Sequence, residues 1–297
     1  MNNSILRASI ALIAVAGASS AFCTEIFATD NLGPTNGGTT SDRVIKFDSS
    51  NPAGTVTTIG VTGVAGQGFG GLDFAGNGVL YGATSFGGSF TSSQLYSIST
   101  TTGAATLIGT MGLTAGSVND LSWNPVTGQM QALVGNGSGS NSLWNVSLTT
   151  GAATFVGNIS GFASGLAVGL STDSSGTNYI EDIVSDTMYK LSGLNAVAMS
   201  SGIGLDCNFS QGMTMDWSNN NAWYLGSISA SPTFVGDVRL MNNATGGTST
   251  VLGTWPLNAN GLPEYETGDL AIRPVPEPFS MVALGAGIAA MLRRRRK

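Results

Sequence analysis

Apolar and polar residues alternate through most of the chain between its two ends. The segment Leu95 to Gly109, LYSISTTTGAATLIG, shows this most clearly, with two alternating runs flanking a Thr-Thr-Gly turn. The pattern returns 48 residues later at Leu143 to Gly157, LWNVSLTTGAATFVG. Alternation over a few residues marks a half-buried strand, and glycine lets the chain reverse tightly between two of them. No long amphipathic helical pattern occurs between the termini.

The same alternation organises larger units. They open at Leu72-Asp73-Phe74, Leu121-Ser122-Trp123, Leu170-Ser171-Thr172-Asp173 and Met215-Asp216-Trp217, at spacings of 49, 49 and 45 residues. Three short runs follow each opening, such as VLYGAT, Gln94 to Ser99 and Ala105 to Gly109 in the first unit. Four short strands at this period predict an all-β fold, a β-propeller of four-stranded blades. A lone blade leaves its faces bare, so the ring must close on itself. Asp269-Leu270-Ala271-Ile272 resembles an opening strand without followers. The runs EIFATD, RVIKFD and TVTTIG near the N-terminus supply them. Five blades are therefore expected, the last built from both chain ends; six is the alternative if residues 158–212 hide a further unit.

Charge narrows the possible partners. Five of the eleven basic residues are the last five residues, and Arg7 lies near the start. The remaining five face all seventeen acids, a net charge of −12, which repels phosphate backbones and argues against nucleic-acid binding. The chain has no His, so the commonest general base and metal ligand are missing. With only Cys23 and Cys207, cysteine metal clusters are excluded.

The two ends carry address signals. Residues 1–21 combine Arg7, the apolar run IALIAVAGA and small residues, a secretory signal pattern with cleavage expected between Ala21 and Phe22. The alternative is a buried N-terminal helix. Export would bring Cys23 into an oxidising compartment, where a disulfide with Cys207 is allowed. At the other end, Val275-Pro276-Glu277-Pro278 precedes an apolar stretch, residues 279–292, and then RRRRK. The prolines keep the backbone extended ahead of the apolar segment, and the positive end stays cytoplasmic. About 14 residues at about 1.5 Å rise span roughly 21 Å, enough only for a transient inner-membrane anchor with snorkelling flanks.

Two resemblances follow from these motifs. The LxW/LDF openings, the LYxI strand and the TGAAT turn resemble WD40-like and related bacterial secreted β-propeller repeats over nearly the whole body, residues 22–274. The GH…WD signature is missing, so that family's partner habits do not transfer. Residues 275–297 resemble a PEP-CTERM sorting signal. This resemblance implies recognition of Pro276, Glu277 and Pro278 by an exosortase in bacteria that make extracellular polysaccharide. The expected location is the cell envelope or extracellular surface.

Candidate chemistry rests on acids near the ring axis. Asp73 and Asp216 share a place in their opening strands, and Asp120 and Asp269 each precede one by a residue. Three readings are open. The acids cap turns and bind strand amides, or hold Ca²⁺, or form a two-carboxylate glycoside hydrolase site. Trp123 and Trp217 are expected in the core; Trp144, Trp223 and Trp255 pack likewise or form a sugar-stacking surface. No catalytic residues are assigned. The leading expectation is a non-catalytic, exported adhesion or polysaccharide-associated protein needing no cofactor, and the rival is an extracellular glycan hydrolase.

Overall fold

The computed structural model describes residues 24–273 apart from 32–40, 67, 86–92, 114–115, 136–138, 163–165, 202–206, 220–221, 230–234 and 242–248. Residues 1–23 and 274–297 lie outside the described part. So do the signal cleavage site at Ala21 and Phe22, Cys23 of the expected disulfide, the motif Pro276-Glu277-Pro278, and residues 279–292. Among the described residues no helix is long and apolar enough to cross a membrane.

The chain forms a five-bladed β-propeller in which every blade is a four-stranded antiparallel sheet. The first blade runs outward through β4 (Phe69–Phe74), β5 (Leu80–Thr84), β6 (Gln94–Ile98) and β7 (Ala105–Thr110). The second holds β8 (Ser117–Asn124), β9 (Gln129–Gly135), β10 (Asn141–Val146) and β11 (Ala153–Ile159). The third holds β12 (Ala167–Thr172), β13 (Asn178–Asp182), β14 (Thr187–Ser192) and β15 (Asn195–Ser201). The fourth holds β16 (Cys207–Asp216), β17 (Ala222–Ser229), β18 (Val235–Met241) and β19 (Ser249–Thr254). The fifth is built from β20 (Thr267–Ile272) innermost, then β1 (Glu25–Asp30), β2 (Arg43–Asp48) and β3 (Thr57–Val61). Residues 158–212 hold no sixth unit among the described residues.

Both ends of the chain close the ring. Ile26 pairs with Ile272, Ala28 with Leu270 and Thr29 with Asp269. Outside β2 and β3, the one-turn helix α1 (Pro52–Thr55) begins on a proline and is capped by the Asn51 side chain on the Gly54 amide at 3.2 Å.

The repeat in the sequence becomes a repeated junction in space. Among the described residues, buried apolar side chains form five clusters, and each fills one of the five gaps between neighbouring blades. Leu72, Phe74 and Tyr96 of the first blade meet Phe27, Val44 and Ala271 of the fifth, for example. A blade therefore buries its faces only against neighbours, and the free energy of burial depends on closure. Outermost strands alternate more openly, with Leu107 at 52% and Phe155 at 50% exposure.

The rim has its own lock. In the Thr-Thr-Gly turns, Gly103 and Gly151 take φ of 76° and 78°, which glycine adopts without strain. Each turn seats on the outer strand of the preceding blade. A Cβ on Gly109 in β7 would overlap the carbonyl oxygen of Thr150, and one on Gly60 in β3 would overlap that of Thr102. Next to these contacts, Ala153 N–H donates to the Met111 carbonyl at 2.9 Å, and Ala105 N–H to that of Thr62 at 2.9 Å. In these two outer strands the glycine near the end of the unit is thus the seat for the next blade's Thr-Thr-Gly turn.

Candidate functional site

The five innermost strands run side by side around the axis, and one row of residues sets how closely they approach. It consists of Asp269, Gly71, Asp120, Gly169 and Gly212 in ring order. Adding Cβ to Gly71 would bring it within 2.9 Å of the backbone of Asp120 and Leu121. At Gly169 it would lie 3.1 Å from the Met213 side chain, and at Gly212 it would overlap the Asp269 backbone. The three glycines give the strands the room to converge, and the two aspartates occupy that space.

Each hub carboxylate clasps two strands. Asp269 accepts from the Leu270 amide of its own strand at 2.7 Å and from the Leu72 amide of the next blade. Asp73 accepts from Phe74 at 2.7 Å and from Trp123 of the second blade at 2.6 Å. Asp120 accepts from Leu121 at 2.6 Å and from Leu170 of the third blade at 2.5 Å. Other polar groups clasp the remaining two junctions: Trp217 Nε1–H donates to the Thr172 carbonyl at 2.7 Å, and Thr24 Oγ1–H to Asp216 at 2.6 Å.

Asp120 and Asp269 also hydrogen-bond to each other. Their blades are not neighbours, since the first blade and Gly71 stand between them, so the carboxyls meet across the axis. Both are fully buried. Burial raises both well above the carboxylate range, and the repulsion of a second carboxylate adds to it at Asp120, so the pair keeps a shared proton. Burial likewise pushes Asp73 up to about 7, against the pull of the Trp123 and Phe74 amides. The hub is a plug, closed to solvent at this level.

The sequence reading brought four acids together at the axis, and the register changes one of them. Met213, not Met215, occupies the place of Leu72, Leu121, Leu170 and Leu270, so Asp216 lies two positions beyond the register of Asp73. It caps the turn after β16, accepting from the Ser218 amide at 2.9 Å and the Asn219 amide at 3.2 Å. Asp173 does the same in the third blade, where Ser175 N–H donates to it at 2.9 Å. Apolar runs of methionine with Thr214 between them concealed the shift. The tryptophans that offered a stacking surface are core: Trp144, Trp223 and Trp255 are at most 9% exposed.

Two mouths open on opposite sides of the plug. At the C-terminal ends of the inner strands, a small hollow of about 30 Å³ is lined by Asp73, Ser122, Ser171, Asp216 and Trp217 among others. At their N-terminal ends, a larger cavity of about 320 Å³ is lined by Phe69, Asn119, Val168 and Glu266 among others. Acids that the sequence reading did not single out lie on this side: Glu266 lines the mouth, and Asp42 and Glu181 stand beside Phe69 and Gly169 of the inner strands. Burial pushes Glu266 to about 6, with nearby Asp30 adding to it. Asp42, which accepts from the Phe69 amide at 2.7 Å, is raised by burial to about 7. Glu181 is raised to about 8 by burial, then by Asp186 and Asp182. Among the described residues no group of three or more acids or cysteines is placed to hold a metal ion.

A family model described as a domain of unknown function, DUF4394, matches residues 43–137, from β2 to just past β9. No curated protein matches. Solved structures that resemble the chain include a candidate 6-phosphogluconolactonase of Bacteroides fragilis, 10% identical with a TM-score of 0.47 over 86% of this chain and 99% of that one. Another, from Bacteroides uniformis, is 13% identical with a TM-score of 0.45 over 80% and 87%. TolB from Acinetobacter baumannii is 12% identical with a TM-score of 0.46 over 85% and 67%.

Proposed function

We propose that this chain is an exported, non-catalytic propeller that associates with extracellular polysaccharide at the cell envelope. The observation that carries the reading is the use made of the hub acids. Asp73, Asp120 and Asp269 direct both oxygens at backbone amides, and Asp120 and Asp269 touch each other. A glycoside hydrolase needs two carboxyls about 5–10 Å apart with a sugar or water between them. These acids instead hold blades together. Sorting by an exosortase through Pro276, Glu277 and Pro278 fits the signal pattern at residues 1–21 and the basic tail.

Two experiments test this. The full chain, solubilised in detergent, is applied to a glycan array and to polysaccharide turnover assays. Binding without turnover is expected; turnover abolished by Asp73→Asn in a variant that still folds would favour the hydrolase. Replacing Pro276-Glu277-Pro278 with alanines should leave the tail uncleaved and the protein in the inner membrane. Unchanged processing and export would defeat the sorting role.

A further inference from the structure

The larger mouth has a chemistry that the plug does not. Its cavity, about 320 Å³, stands at the lower end of the roughly 300–1,000 Å³ of small-molecule sites. Val118, Val168 and Ile183 give it apolar walls, while Ser85, Asn119 and Glu266 supply polar groups. Asn119, which lines the cavity, is held by its amide N–H donating to the Ala167 carbonyl at 2.7 Å, and its Oδ1 is an acceptor. Glu266 is fixed from behind, its backbone N–H donating to Asp30 at 2.9 Å. Glu266 is also the acidic residue among those that line the opening. Gly70 and Gly268 make room for two of its polar groups, since a Cβ there would collide with the Ser85 and Asn31 side chains.

This lining excludes some ligands and suits others. Among the described residues that line it there is no Lys or Arg and there is one acid, so a phosphate, sulfate or uronate would meet net repulsion. A bare divalent cation wants six to eight oxygens, and among the described residues that line the cavity Glu266 is the one acid. A ligand with several hydroxyl donors and apolar C–H faces matches both acceptors and walls. We infer that the cavity at the N-terminal ends of the inner strands is a binding site for one uncharged sugar residue, presented by a neutral polysaccharide. The inference rests on the polysaccharide reading above and locates it. The hydroxyls donate to Glu266 and Asn119, and the C–H face lies against Val168 and Ile183.

The test uses the full chain in detergent, titrated calorimetrically with neutral mono- and disaccharides and with CaCl₂ and a primary amine. Val168→Trp fills the cavity and should abolish sugar binding. Glu266→Gln keeps the shape but loses charge, and should weaken binding about tenfold; as an isosteric change it guards against misfolding of the tryptophan variant, and thermal melts verify both. If the wild-type chain binds neutral glycans and both folded variants bind equally well, this cavity is not the site, while the polysaccharide reading stands. Binding of Ca²⁺ or the amine in place of sugars, lost in Glu266→Gln, overturns the ligand class. Failure of the wild-type chain to bind any glycan removes both the inference and the reading beneath it.

Discussion

Gly109→Ala isolates the rim lock from every other property of glycine. Gly109 sits inside β7, pairs with Leu95, and has an ordinary extended backbone rather than a positive φ. Considered alone, alanine there would stabilise by about 0.4–1 kcal/mol, because it restricts the unfolded chain more than the folded one. The docked turn reverses the sign. The new methyl overlaps the Thr150 carbonyl, which belongs to a hairpin backbone and cannot swing aside as a flexible side chain would. Moving that turn breaks the bond from Ala153 N–H to the Met111 carbonyl and leaves a partly buried donor unpaired, at about 1–3 kcal/mol. Lost contacts across the seam add to this, so the net loss should be about 1–3 kcal/mol. In a domain of this size each kcal/mol moves Tm by about 2–4 °C, giving a fall of roughly 2–12 °C by circular dichroism. Gly112→Ala is the control: its φ is +68° but nothing lies within 4 Å, so it bears only the left-handed strain of about 1–2 kcal/mol. A Gly109→Ala variant as stable as the wild type, or more so, would refute the docking argument.

The hub and its acids give two further expectations. Asp73→Ala removes the acceptor of both the Phe74 and Trp123 amides and should cost about 2–5 kcal/mol, with Asp73→Asn, which keeps one acceptor, near half of that; urea unfolding measures both. Stability should also fall as pH rises. Folded values of about 6 for Glu266, about 7 for Asp42 and Asp73 and about 8 for Glu181 lie above those of the unfolded chain. The folded state thus keeps protons that the unfolded state releases, a stabilisation complete below about pH 4 and lost through pH 6–8, at about 1.4 kcal/mol per pH unit for each group still protonated. Melts from pH 4 to 9 check this, and Asp120→Asn should flatten the slope by removing one partner of the shared proton. A Tm that climbs over that range would count against the buried, protonated hub.

Much of the architecture was legible because it repeats. The turn residues of LYSISTTTGAATLIG and LWNVSLTTGAATFVG announced hairpins, and the orphan strand at Asp269 pointed to its partners at Glu25 to Asp30. The hub was legible only in part. Leu72, Leu121, Leu170 and Leu270 align by eye, and the residue before each is Gly or Asp, a signal of the axial row had it been followed. In the fourth blade Met213 and Met215 are equally apolar, so alternation alone could not choose between two registers, and Asp216 was placed at the axis. Asp42, Glu181 and Glu266 left no trace in the pattern. They come from strand ends and connections that only the closed ring brings beside the inner strands.

The fifth blade also sets a timetable. Asp30 and Glu266, joined by a hydrogen bond in the finished ring, are 236 residues apart. At about 5–20 residues per second, roughly 10–50 s separate the synthesis of β1 from that of β20. Throughout that interval the earliest hairpin carries an unpaired inner edge, a template for wrong pairing with other chains. A nascent molecule of this protein is thus most exposed to misassembly at its oldest segment, and the last strand made is the one that ends the exposure.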